Sequence, residues 1–247
     1  MQPLVLLSGL LCDEVIWADV ADRLVNSADI RIVAFPDFSS IGAMAEHVLT
    51  IAPRKFALAG HSMGGRVALE VVRRAPNRVA GLALLNIGVH ALRDDEVSSR
   101  GRLVQLARER GMSAVAAEWL PPMMGAPEAR IAELMPRLTE MVERATPEGF
   151  ARQIRALLER PDAEAVLPSI RVPTLLLSGT RDTWSPLAQH EEIQHRIAHA
   201  TLVGVENAGH MAPIEQPDAV ARALREWFGR LWRVNRIDAP NESTARK

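Results

Sequence analysis

The chain has 247 residues, 48% of them hydrophobic and 24% charged. That is enough apolar material for one large domain, and it excludes the low-hydropathy, high-charge bias of a disordered chain. Its 29 basic and 30 acidic side chains leave a formal net charge of -1, and the basic residues are spread out, which excludes the broad basic footprint of a nucleic-acid partner.

Cys12 is the single cysteine, so an internal disulfide and a multi-thiolate metal site are excluded, and no metal or cofactor is expected. No apolar run reaches the roughly 18 residues of a spanning helix, and no basic region precedes the short apolar stretch at the start. We expect a cytoplasmic protein with no membrane partner.

In chain order, "PLVLLSG" (3–9) opens a series of short apolar runs bounded by turn residues. It continues with "IRIVAF" (30–35), "KFALAG" (55–60), "VAGLALLN" (79–86), "PTLLLSG" (173–179) and "ATLVGVE" (200–206). Each has strand length and reads as apolar on both faces, the pattern of parallel strands shielded on both sides by crossover helices. Amphipathic stretches lie between them. Ile16, Val20 and Leu24 share one helical face, Met44 and Val48 another, and Val220, Leu224, Trp227 and Leu231 a third. Asp13 and Ser40 stand at N-cap positions for the first two helices. The βαβα order predicts an α/β fold, a doubly wound and mostly parallel sheet.

The alternation breaks between residues 88 and 170, where no strand is convincing. Helical runs near 94–110, 113–120, 128–145 and 147–160 are separated by Gly111, Pro121-Pro122, Pro127 and Pro147. This predicts a core from residues 1–87 and 171–234 with a helical cap, 88–170, inserted after the fourth strand. Residues 235–247, "NRIDAPNESTARK", are polar and aperiodic, and a disordered tail is expected there.

The stretch "LAGHSMGGRVAL" (58–69) places Gly60-x-Ser62-x-Gly64 between an apolar strand and a helix. A serine on a tight, strained turn with its oxygen exposed needs small residues two before and two after it, so that strand and helix can meet. A phosphate loop fits less well, since neither its glycine spacing nor its Lys-Ser/Thr pair is present.

A serine hydroxyl is a weak nucleophile, so this turn calls for a histidine base and a carboxylate to orient it. His47, His190, His195 and His199 fall in predicted helices with polar neighbours and read as solvated. His61 belongs to the turn and reads as pointing away from the chemistry. His210, in "ENAGHMAPIEQP" after the last strand, can reach over the carboxyl ends of the strands. Asp182, in "SGTRDTWSP" after strand 173–179, is the matching acid. Asp94 and Asp95 are its rivals after the preceding strand, while Asn86 at that strand's tip lacks the charge. Ser62, Asp182 and His210 follow in the chain order that goes with this kind of serine turn.

Over residues 3 to 230 the chain resembles the α/β-hydrolases with a helical cap. The matching pieces are "LLSGLLCDEVIW", "GHSMGG", "SGTRDTWSP" and "AGHMAPIEQPDAV". The resemblance implies about six strands. It also implies oxyanion-hole amides on the loop after the first strand and on the residue after the nucleophile, which here are Leu10 and Met63. Ser8 stands where the family usually has histidine, a departure that raises the question of how this loop is braced.

Ser62 in place of an aspartate argues against epoxide opening and halide displacement, and Gly-Gly-Ser-Trp-Gly, which family aminopeptidases tend to show, is absent. The expected activity is that of a carboxylesterase, acting on a small-molecule ester or thioester through an acyl-enzyme. Two other readings stay open: a carbon–carbon hydrolase or lyase on the same residues, and a non-catalytic small-molecule receptor.

For the substrate, Trp119, Met123, Met124 and Trp184 are candidates to line an apolar pocket, although the first three also suit plain packing of cap on core. Arg152 and Arg155 are candidates to receive a substrate carboxylate, or a solvated helix face. Cys12 reads as a small buried hydrophobe.

Overall fold

The computed structural model describes residues 1–237. Six strands form one parallel sheet: β1 (Pro3–Leu7), β2 (Asp29–Val33), β3 (Phe56–His61), β4 (Val79–Leu85), β5 (Thr174–Gly179) and β6 (Thr201–Val205), in the order β2-β1-β3-β4-β5-β6. The chain moves outward from β1 to β2, then returns to add β3 on the other side of β1. The reversal opens a crevice at the carboxyl ends of β1 and β3, and Leu10 and Ser62 sit on the loops that leave those ends.

β3 and β5 are buried along their whole length, as their apolar runs predict. The edge strands β2 and β6 depart from that expectation. Asp29 and Arg31 of β2, and Thr201 and Gly204 of β6, are exposed, because the helices concentrate over the middle of the sheet.

α1 (Val15–Leu24) buries Ile16, Trp17, Val20 and Leu24, and Val15 N donates to Asp13 Oδ1 at 2.9 Å just outside its start. α2 (Ile41–Ile51) is capped by Ser40, whose Oγ accepts from Ala43 N at 3.1 Å. α3 (Met63–Arg74) is buried from Met63 through Val72 and packs on β3, β4 and β1.

The insertion between β4 and β5 holds α4 (Asp94–Trp119), α5 (Glu128–Glu143) and α6 (Pro147–Leu158). α4 is two helices joined at Gly111, whose φ of 80° and ψ of 177° break the helical path without a loop. Thr146 caps α6 by accepting from Gly149 N at 3.0 Å, and Pro147 occupies its first position.

Past β5 come α7 (Leu187–Arg196), α8 (Ala212–Glu215) and α9 (Pro217–Ile237). α9 continues to Ile237, beyond residue 235 where the disordered tail is expected to begin. The rest of that expected tail, 238–247, lies outside the described residues. Among the described residues no helix is long and apolar enough to cross a membrane.

Candidate active site

β3 ends at His61 and α3 begins at Met63, which leaves Ser62 alone on the turn with φ 53° and ψ −117°. A non-glycine residue in such a conformation carries strain of about 1–3 kcal/mol and persists only where its surroundings impose it. Here Ser62 N donates to Leu85 O at 2.9 Å and Gly65 N donates to Ser62 O at 2.9 Å. The flanking glycines allow the turn to close. A Cβ on Gly60 would stand 2.4 Å from the carbonyl oxygen of Gly64, and one on Gly64 would stand 2.4 Å from that of Leu7. Both contacts are backbone, so neither can yield.

His210 Nε2 lies 2.9 Å from Ser62 Oγ, and His210 Nδ1 lies 2.9 Å from Asp182 Oδ2. A carboxylate only accepts, so Nδ1 carries the proton and Nε2 accepts from the serine hydroxyl. The loop after β5 folds over the acid: Asp182 Oδ1 accepts from Trp184 N at 2.8 Å and Ser185 N at 2.9 Å. Burial alone pushes the Asp182 carboxyl up, but the hydrogen bond and charge of His210, with the Asn86 amide and the Ser185 N–H, outweigh it. The acid is held well below the usual carboxylate range. A hydroxyl, an imidazole and an ionised carboxylate in series can move a proton off Oγ as that oxygen attacks an electrophilic carbon.

Of the rival acids, Asp94 is the first residue of α4 and Asp95 is exposed on the same turn. Asp182 is the carboxylate that reaches His210.

Several side chains set aside or unnoticed in the sequence hold this arrangement. Asn86, with φ 51° at the tip of β4, donates from Nδ2 to Asp182 Oδ2 at 2.8 Å and to Gly209 O at 3.1 Å. His61 does not point away from the site: its Nε2 donates to the carbonyl of His210 at 2.8 Å, and the two rings are 5.3 Å apart. Burial, then the nearby His210, push His61 down to about 3, so it is neutral.

His190 is not a solvated helix residue either. It is fully buried, with Ile87 N donating to its Nε2 at 3.1 Å and its Nδ1 donating to Pro186 O at 3.1 Å.

Glu215 ties the cap to the histidine loop. Its Oε2 accepts from Gly125 N and Ala126 N, both at 2.6 Å, and its Oε1 accepts from Gly209 N at 2.9 Å. The two backbones touch there: a Cβ on Gly125 would lie 2.4 Å from Gly209 N. His210 N in turn donates to Met123 O at 2.8 Å.

The loop after β1 is braced from two sides. Ser8 Oγ donates to Asp13 O at 2.9 Å, a local tie within the loop. From the cap, Gln153 accepts from Leu11 N at 3.0 Å and donates to Phe35 O at 2.8 Å. Gln153 lies on the buried face of α6 with Phe150, Ile154 and Leu157, a polar residue within an apolar stripe that the sequence displays. Cys12 is buried nearby, and burial, then the charge of Asp13, push its thiol up to about 12. It is a neutral thiol.

A cavity of about 460 Å³ opens above Ser62, and Leu10, Met63, Trp119, Met123 and Trp184 all face it. That size suits a small-molecule ligand. Met124 is half-buried against the core and does not line the cavity.

Nor does Arg155, which is exposed and bonds Glu159 at 2.9 Å, while Arg152 bonds the exposed Asp37 at 2.7 Å. The helical period decides this: the face of α6 that carries Phe150, Ile154 and Leu157 turns inward and leaves both arginines outside.

The sequence matches the alpha/beta hydrolase family over residues 4–223. The chain belongs to that family. Among its relatives is a pimeloyl-(acyl-carrier protein) methyl ester esterase of Chromobacterium violaceum, 26% identical over 225 residues, covering 85% of this chain and 88% of the relative. Among solved structures, a thermophilic esterase of Thermogutta terrifontis superposes with a TM-score of 0.83 at 28% identity, over 94% of this chain and 90% of the esterase. An enol-lactonase of Burkholderia xenovorans superposes with a TM-score of 0.81 at 25% identity, over 92% and 91%. This member of the family is an α/β-fold hydrolase.

Proposed function

We propose that the chain is a serine hydrolase that cleaves a small-molecule carboxylic ester through an acyl-enzyme. The observation that carries the proposal is the Ser62–His210–Asp182 series, with both links at 2.9 Å, at the floor of a cavity. Ser62 Oγ attacks the ester carbonyl and His210 Nε2 takes its proton. The oxyanion that forms is received by the main-chain N–H groups of Leu10 and Met63, donors fixed by the backbone that need no reorganisation as charge develops. His210 then returns the proton to the departing alcohol. Water, activated by the same imidazole, releases the acid and restores Ser62.

The likeness to a methyl ester esterase and an enol-lactonase supports acyl transfer to water, as does a cavity whose floor is the nucleophile. Thioesters fit the same steps. A panel of nitrophenyl and alkyl esters of graded acyl length tests the proposal, with Ser62→Ala as the control. Turnover by the wild type and loss of about 10⁴-fold or more in Ser62→Ala is expected. A carbon–carbon hydrolase would leave the simple esters intact.

A further inference from the structure

Arg66 is the third residue after the serine's helix begins at Met63, one turn on from Ser62, and its main-chain N is 3.4 Å from Ser62 O. One turn is about 5.4 Å along a helix, and side chains lean toward the helix start. Arg66 and Ser62 line the same cavity.

The residue is only 8% exposed, an unusual place for a guanidinium without a paired acid. Its Nη2 donates to the main-chain carbonyl of His90 at 3.0 Å, while its Nη1 is buried with no partner. Among the described residues no carboxylate forms an ion pair with it.

Two of the acids around the cavity are already engaged. Glu96 takes Arg100 at 2.9 Å and Arg160 at 2.6 Å, and Arg66 feels the charges of Glu96 and Asp162 without pairing with either. Glu118 pairs with Arg102, while Asp95, which also lines the cavity, is exposed on the first turn of α4. Burial, then the charge of Arg160, push Arg66 down to about 9. A bound anion offsets the charge of Arg160 and supplies the partner that burial denies. A guanidinium matches a planar carboxylate in shape and charge, and Nη1 is the buried Arg66 donor that no protein group takes.

We infer that Arg66, with Arg100 beside it, forms a carboxylate-binding subsite at one end of the cavity, so that the substrate is an ester carrying a free carboxylate a few bonds from the scissile carbonyl. The bond cleaved rests on the esterase reading above; the anion site itself does not. The role that the sequence offered to Arg155 passes to an arginine that reaches the cavity.

Two matched series of short esters test this, one with a carboxylate at the far end of the acyl part and one with it on the alcohol part. Each is compared with its counterpart bearing a primary amide in place of the carboxylate. In one of the series the wild type should favour the acid over the amide by tenfold or more in kcat/KM, and Arg66→Gln should lower that ratio at least tenfold. Arg66→Lys should restore part of it. Calorimetry on Ser62→Ala measures binding without turnover: glutarate should bind at least tenfold more tightly than glutaramide.

If Arg66→Gln does not fold, the wild-type ratio and the Ser62→Ala binding still decide. Ratios near one in both series, with glutarate and glutaramide binding alike, would overturn the subsite and leave the esterase reading standing. Glutarate binding that depends on Arg66, in a protein that cleaves neither ester, would overturn the esterase reading and leave the subsite standing.

Discussion

Asn86 Nδ2 stands 2.8 Å from Asp182 Oδ2, the same carboxylate oxygen that faces His210 Nδ1 at 2.9 Å. Through its second bond, to Gly209 O, Asn86 also grips the residue before the histidine. One uncharged side chain at the tip of β4 thus ties together Asp182 and the loop that carries His210. Asn86→Gly removes the amide and keeps a residue at ease with positive φ. A hydrogen bond to a charged group contributes about 1.5–3 kcal/mol, so kcat/KM for a simple ester should fall about ten- to a hundredfold with the fold retained. Activity unchanged within twofold would mean that Asn86 only fills space.

Asp182→Asn keeps the shape of the acid and removes its charge. It also presents an amide that can hold the imidazole in the wrong tautomer, an effect that costs about 10⁴ in turnover in triads of this kind. Asp95→Asn, on the exposed start of α4, should keep most of the activity. Steady-state rates for the two purified variants separate the cases, and an Asp95→Asn protein as inactive as Asp182→Asn would move the acid to the cap.

The two methionines of the cap should part company. Met123 faces the cavity and Met124 packs against the core. Met123→Ala should change the preferred acyl length, by about 1–3 kcal/mol for each substrate methylene that loses its contact. Met124→Ala should lower the melting temperature and leave the order of preference alone. Identical length profiles for the wild type and Met123→Ala would remove Met123 from the pocket wall.

Acid should destabilise the fold well above the pH at which carboxylates titrate. In the unfolded chain His61 binds a proton below its ordinary value of 6.5, whereas in the folded chain it does so only near 3. Between those values the unfolded state holds more protons, so stability rises with pH. This group's contribution is complete above about 6.5 and is lost as pH falls toward 3, at about 1.4 kcal/mol per pH unit. His190, lowered mainly by burial, acts in the same direction. Urea unfolding of the wild type and His61→Gln between pH 4 and 7 checks this: the variant should show the shallower slope, and equal slopes would contradict it.

Much of this was legible in the chain because the strongest signals are local. Six short apolar runs announced six strands, and the spacing of Gly60, Ser62 and Gly64 announced a turn that only backbone contact explains. Ser62, Asp182 and His210 each follow a strand, so the carboxyl ends of the sheet bring them together. What escaped depends on contacts between distant segments. Asn86 carries no charge and acts through Asp182, 96 residues on. Glu215 reaches back to Gly125 across 90 residues. His190 has polar neighbours in sequence and His61 belongs to the serine turn, yet folding encloses both. Arg155 and Arg66 make the same point from opposite sides: the first belongs to an outward face of α6, the second to a helix buried on every side, and only the packing of the cap reveals which one meets the cavity.

The most direct test of the central claim is covalent labelling by an organophosphonate, followed by peptide mapping. The account predicts a single adduct on Ser62, in the peptide containing "GHSMGG", formed rapidly by the wild type, at least about a thousandfold more slowly by His210→Ala, and not at all by Ser62→Ala. An adduct on another residue such as Cys12, or labelling of Ser62 at the same rate in His210→Ala, would contradict it.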